Sequence, residues 1–208
     1  MTTKTAAHRT RWRPLPYLLF AGAGGVLPLL LPNDYYLTVL IFVGINILLV
    51  VGLNLLMGYA GQISLGHAAF FACGAYGSGI LNVRLGLTPW LALPASLTLT
   101  AGIAYLIGRP ILRLKGNYLA MATLGFGLIV EHLLVEWDGL TGGPSGLMHV
   151  ERLKLGSLPL YAPGTRYYLV VLVAVLACIV LAHNLIDSRT GRALRAVHGS
   201  EIAATAAS

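Results

Sequence analysis

The sequence predicts an all-α, polytopic helical membrane protein, and three observations predict it. Only 10% of the 208 residues are charged, against roughly 25% in a soluble domain. Mean hydropathy is +0.78 and the apolar share is 57%. Residues 14–33, 35–83, 85–108 and 167–186 contain no Asp, Glu, Lys or Arg, and a membrane-spanning helix needs about 20 mostly apolar residues. This composition excludes an ordinary water-soluble domain, a disordered chain and a disulfide-stapled one.

Six spans are expected in chain order. Residues 1–14 form a cytoplasmic basic tail carrying Lys4, Arg9, Arg11 and Arg13. The first span is about Leu15–Leu31, closed by Pro32 and the turn residues Asn33 and Asp34. Basic residues ahead of an apolar stretch also open a signal peptide. Here Pro16 interrupts the stretch before the small residues Ala21-Gly22-Ala23, and the apolar run continues well past them, so the span reads as uncleaved. The second span is about Leu37–Met57, the third His67–Val83, the fourth Pro89–Gly108, the fifth Asn117–Val135 and the sixth Tyr167–Ile186. Together they make a transmembrane domain over residues 15–186, with an external loop expected at about 136–166 and a cytoplasmic segment over 187–208.

Charge orients these spans. With the N-terminus in the cytoplasm, ten Lys and Arg fall inside and four (Arg84, Arg152, Lys154 and Arg166) fall outside, as the positive-inside rule requires. The net charge of +7 therefore reports topology rather than nucleic-acid binding. Cys73 and Cys178 sit in separate apolar spans and read as packing residues, with no metal site and no redox role.

The second and third spans join within 49 uncharged residues, 35–83. As one helix these would reach about 73 Å, so the chain must bend, and Gly58, Gly61 and Gly66 mark where. The bend is either a short cytoplasmic hairpin or a re-entrant element beside a pathway, because irregular backbone at membrane depth survives only in protein or against a wet cavity. Gln62, Ser64 and His67 make this bend polar. They serve as capping or interhelical hydrogen-bonding groups, or they line a pathway. Asn46 and Asn54, eight residues apart on one face of the second span, have the same two readings. In the third span, Cys73 with Gly77, Gly74 with Ser78 and Ala75 with Gly79 form a small-residue stripe suited to close helix packing.

The external loop is rich in Gly and Pro, and Trp137, Tyr161, Tyr167 and Tyr168 flank it as interfacial rings. Its Thr141–Gly146 stretch lacks the Lys-Ser/Thr ending of a phosphate-binding loop, so no ATP site is expected in this chain. Glu131 and His132 lie four to five residues from the outer end of the fifth span, where such groups reach the interface or face a wet cavity. After the sixth span, Gly191–His198 suits a short basic helix that Gly199 stops. Ser200 is an N-cap candidate for a second, alanine-rich helix with Glu201 in its first turn. That second helix stops in mid-pattern, so the cytoplasmic segment is expected to be incomplete.

Four stretches, in order, resemble the membrane permease subunits, specifically the M type, of bacterial branched-chain amino acid ABC importers. They are Gly58–Phe71, Lys115–Leu124, Leu140–Leu147, and Gly191–Ala196 followed by Glu201–Ala204. The resemblance implies a transport subunit rather than an enzyme, in the bacterial inner membrane and in contact with its lipid. It implies a homologous second permease, two cytoplasmic ATPase subunits that bind the ATP and magnesium, and an extracytoplasmic substrate-binding protein. This chain itself would need no cofactor. By the same resemblance, Arg192, Arg195, Glu201, Ala203 and Ala204 would lie at the contact with an ATPase. Ile202 departs from the family's Glu-Ala-Ala pattern, and the Gly that normally follows is not in the sequence. The expected substrates are Leu, Ile and Val. A urea or other amide or amino acid permease of the same family is the nearest alternative, and an ATP-independent channel or secondary carrier the next. An intramembrane enzyme would need Glu131 to converge with His132 or His67.

Overall fold

The computed structural model describes residues 15–30, 33–151, 153–155, 158–159, 164–189 and 191–192. The basic tail and most of the segment after the last span lie outside them. The chain is an all-α polytopic membrane protein. Its long helices are α1 (Leu15–Leu30), α2 (Asp34–Asn54), α3 (His67–Leu85), α4 (Pro89–Ile111), α5 (Asn117–Glu136) and, after the short helix α6 (Asp138–Thr141), α7 (Thr165–Asp187). A two-residue antiparallel pair, β1 (Lys154–Leu155) with β2 (Leu158–Pro159), sits in the loop before α7. Each long helix overlaps one expected span. By length and composition, α2 with its continuation to Tyr59, α4, α5 and α7 can cross a membrane. The α3 helix has 19 residues but is diluted by glycine and polar side chains, and α1 has 16.

Local chemistry sets the helix ends. Asn33 caps α2 by accepting from the Tyr35 N–H at 3.2 Å, and Asp34 in the first turn suits the helix dipole. Pro89 opens α4 at a position where a missing N–H costs nothing. The α3 helix stops at Gly86, whose φ of 63° lies in the left-handed region.

Packing is inverted relative to a soluble bundle. Bulky apolar residues face outward, with Leu97 and Leu106 71% and 74% exposed. Buried positions include small or polar ones: Ala69, Ala92, Ser64, Asn82, Ser96 and Thr141. Lipid tails are as apolar as leucine, so helices associate through close packing and hydrogen bonds rather than by hiding hydrocarbon.

Two helix groups result. One joins α2 and α7 through Ile41, Tyr168, Val171 and Val175, with α1 against α7. Tyr168 was expected as an interfacial ring; instead it is buried and its hydroxyl donates to the Gly24 carbonyl of α1 at 2.9 Å. The physical reason is helical phase, since positions 168, 171 and 175 share one face. The other group joins α3, α4 and α5. Ser96 of α4 donates to the Gly74 carbonyl of α3 at 2.6 Å and lies against Gly77, so part of the small-residue stripe is the α3–α4 seam. Gly79 instead faces Leu147 and Val150 of the loop before α7.

Gly44 marks the tightest point of the first group. A Cβ there would overlap the Val171 side chain, whereas one at Gly22 would meet nothing. Gly44→Ala is expected to lower the thermal midpoint of the detergent-purified protein by an overpacking cost of about 1–3 kcal/mol. Gly22→Ala is expected to leave it unchanged or raised, and equal midpoints for the two variants would contradict this packing.

Candidate functional site

The polar bend between α2 and α3 is built in three steps. Leu55–Tyr59 continues α2 as one π-helical turn, a wider winding that frequently marks functional sites. The chain then leaves the helix, and its freed backbone groups find partners locally. The Ala60 N–H donates to the Leu55 carbonyl at 3.3 Å and the Gln62 N–H to the Leu56 carbonyl at 3.1 Å. Finally the chain seats on α5. The Leu65 N–H donates to Thr123 Oγ1 at 3.0 Å, and the Thr123 hydroxyl in turn donates to the Ala120 carbonyl at 3.0 Å.

Gly66 is what lets the two backbones meet. It is buried, and a Cβ there would run into the Thr123 carbonyl. Gly127, one turn further along α5, lies against the Gly66 Cα. Thr123 is six residues into α5, about 9 Å along its axis. The start of α3 is therefore level with the second turn of α5 rather than with its end.

The expected site residues separate at this bend. His67 opens α3 and its imidazole packs against Gly52 of α2, linking the two helix groups. Ser64 is buried, and Gln62 holds a buried Oε1 with no hydrogen-bond partner in the structure. Asn54 turns onto Gly58, across the π-helical turn. Asn46 is exposed and donates to the Phe42 carbonyl of its own helix at 2.8 Å. Of the expected ATPase-contact residues, Arg192 is described, while Arg195, Glu201, Ala203 and Ala204 lie outside the described residues.

Above the bend, α3 and α5 diverge around a groove of about 440 Å³. Leu65 and Gly66 form one end; Ala72 and Tyr76 face Gly127 and Glu131 along it. His132 points elsewhere, lining a separate depression with Leu128 and Glu136. Glu131 and His132 thus line different depressions, and His67 lines neither.

The far end of α3 is closed by residues whose partners the sequence did not reveal. Asn82 of α3 is buried; its amide donates to the Leu87 carbonyl at 2.8 Å and its Oδ1 accepts from the Glu151 N–H at 2.6 Å. Arg84 hydrogen-bonds the Gly139 carbonyl, and the Trp90 indole donates to the Lys154 carbonyl at 2.7 Å. Thr141 is buried, with its hydroxyl 2.7 Å from the Leu134 carbonyl and 2.9 Å from that of Trp137. The Gly143 N–H donates back to this hydroxyl at 3.2 Å. The glycine-rich stretch is therefore a knot on the end of α5. The only advance signal was the motif itself; an Asn or Thr in an apolar helix or loop does not reveal its partner.

At the opposite end, Ser188 ends α7 with extended backbone and its Oγ accepts from the Gly191 N–H at 3.3 Å. This is an N-cap on the turn that follows. Arg192 donates to the Asp187 carbonyl at 3.0 Å, tying that turn back to α7.

Thr123 carries the junction between bend and α5. Thr123→Val keeps the shape but removes the acceptor for Leu65, and is expected to destabilise the protein by about 1–3 kcal/mol. Thr123→Ser is expected to restore most of the loss in thermal unfolding. Equal stability of the Val and Ser variants would rule out the hydrogen bond as the joint.

The sequence was compared with known proteins. Residues 35–208 match the family described as branched-chain amino acid transport system, permease component. The chain is 36% identical over 159 residues to the high-affinity branched-chain amino acid transport system permease protein LivM of Escherichia coli (strain K12), a match covering 66% of this chain and 37% of that protein. The permease of the same description from Salmonella typhimurium (strain LT2) matches with the same identity and coverage. The match thus spans little more than a third of the length of these relatives. No solved structure matches significantly. The family match covers the bend, the glycine-rich knot and the segment beyond α7 alike, and on that ground the chain belongs to the family of branched-chain amino acid transport system permease components.

Proposed function

We propose that this chain works as the transmembrane permease subunit of an ATP-driven importer that carries Leu, Ile or Val across the bacterial inner membrane. The observation that carries this reading is the family match through residues 35–208, which takes in both the helices and the segment after α7. The chain supplies pathway and coupling. ATP and magnesium bind to two cytoplasmic ATPase subunits, a homologous second permease completes the membrane part, and an extracytoplasmic protein delivers substrate. The N-terminus is cytoplasmic, and all six long helices span.

The coupling geometry follows from the described end of α7. A turn capped by Ser188 and tied by Arg192 to Asp187 moves with α7 rather than swinging on a loop. In this reading Arg192, Arg195, Glu201, Ala203 and Ala204 form the ATPase contact: alanines allow close approach, and the charged residues supply oriented ion pairs. Closure of the ATPases on ATP pushes this segment, and α7 passes the push to α2 and α1 through the Tyr168–Val175 face.

Uptake of radiolabelled leucine by cells producing the complete transporter tests this. The native transporter is expected to take up leucine, with isoleucine and valine competing and urea not competing. Glu201→Lys is expected to reduce uptake to background while the chain still reaches the membrane on immunoblots. Normal uptake by that variant would exclude docking through Glu201, and competition by urea alone would replace the substrate.

A further inference from the structure

We infer that the α3–α5 groove is a substrate subsite in which the Glu131 carboxylate receives the α-ammonium of a passing amino acid. This rests on the importer reading above and adds to it the residue that meets the charged end of the substrate.

The argument starts from where a carboxylate is tolerated. Glu131 lies five residues before the end of α5, about 7.5 Å inside it, with apolar neighbours Val130, Leu133 and Leu134. Glu131 is exposed on this chain, and an ionised group on an apolar helix is costly against lipid and marks a path or a partner. Among the described residues Glu131 has no ion pair, so the fold does not spend it on holding helices together. It lines the groove, while His132, the next residue, faces another side of α5.

The groove fits an amphiphile. Besides Glu131 it is lined by small and apolar residues, with Ala72 and Gly127 keeping it wide and Tyr76 adding one hydroxyl. A cationic head on Glu131 leaves an apolar side chain against alanine, glycine and leucine. That is the charge and shape of an aliphatic amino acid presented ammonium first. A small anion or a neutral sugar lacks one half of the match.

The groove is also tied to the moving part. One end is Leu65 and Gly66, the segment seated on Thr123 and continuous with the π-helical turn. A shift of α2 against α5 therefore reshapes the groove directly.

The test uses the complete transporter, carrying this chain with Cys73→Ala and Cys178→Ala, in proteoliposomes. A thiol is placed in the groove by Ala72→Cys and labelled with cationic aminoethyl or anionic sulfonatoethyl methanethiosulfonate. The cationic reagent is expected to react about tenfold faster, as a cleft of one sign enriches its counter-ion. Glu131→Gln is expected to bring the ratio close to one, and leucine is expected to slow labelling. In the transporter with Ala at position 72, Glu131→Gln is expected to raise the KM for leucine about tenfold or more, the range for losing one charge-assisted hydrogen bond. Glu131→Asp is expected to recover part of it.

Equal rates for the two reagents, or an unchanged KM, would overturn the subsite. Loss of subunit co-purification with Glu131→Gln would overturn it too, by making the carboxylate an assembly contact. Absence of leucine uptake by the native transporter, with the charge preference intact, would instead overturn the importer reading of the substrate and leave the cation preference of the groove standing.

Discussion

One constraint orders the whole molecule: backbone groups inside a bilayer have no water to bond, so any break in a helix must be satisfied by protein. Among the described residues the chain leaves the helix between α2 and α3 inside a long uncharged run. The π-helical turn, the Leu56 carbonyl and the Thr123 hydroxyl take up the freed N–H groups. Doing so binds the bend to α5, and that contact sets the height at which α3 begins. The height of α3 sets what faces what. Ala72 and Tyr76 come to the wall of a groove that also holds Glu131. Gly79 reaches the loop before α7 at Leu147 and Val150. A helix starting two turns lower would have put other residues in all of these places.

The second consequence concerns the interior. Hydrocarbon gains nothing by being turned inward when lipid lies outside, so the seams are drawn by size and hydrogen bonding. Ser96 on the Gly74 carbonyl and Tyr168 on the Gly24 carbonyl are two such seams, one in each helix group. In both, a side-chain hydroxyl donates to the carbonyl of a glycine on the neighbouring helix. His67 against Gly52 repeats the small-residue logic between the groups. The knot around Thr141 and the Ser188 turn close the ends of α5 and α7 by the same means, with hydroxyls meeting backbone groups that a helix end leaves unpaired.

Most of the site was half legible. The bend was announced by Gly58, Gly61 and Gly66 in a charge-free run too long for one span, and its polar residues by standing out from an apolar background. Their partners were not, because each lies far along the chain. Thr123 is 58 residues from Leu65, and Glu151 is 69 residues from Asn82. Asn46 and Asn54 share a face, yet Asn46 satisfies itself on its own helix, an outcome that spacing cannot separate from an interhelical bond. Glu131 and His132 looked like one polar pair, and the 100° step of a helix sends them to different sides.

By itself the sequence determined the fold class and the place of each helix. Hydropathy and capping residues act within a few positions, so local chemistry suffices to write the six long helices and their ends. The four motif stretches carried the family, since they too are local strings. Tertiary structure alone decided the height of the bend against α5, the burial of Tyr168, the work of Asn82 and Thr141, and which wall Glu131 occupies. The reason is physical: those outcomes depend on the rotation and height of one helix against another. Contacts between residues distant in sequence fix both, and a linear pattern of apolar and polar residues is the same for many such arrangements.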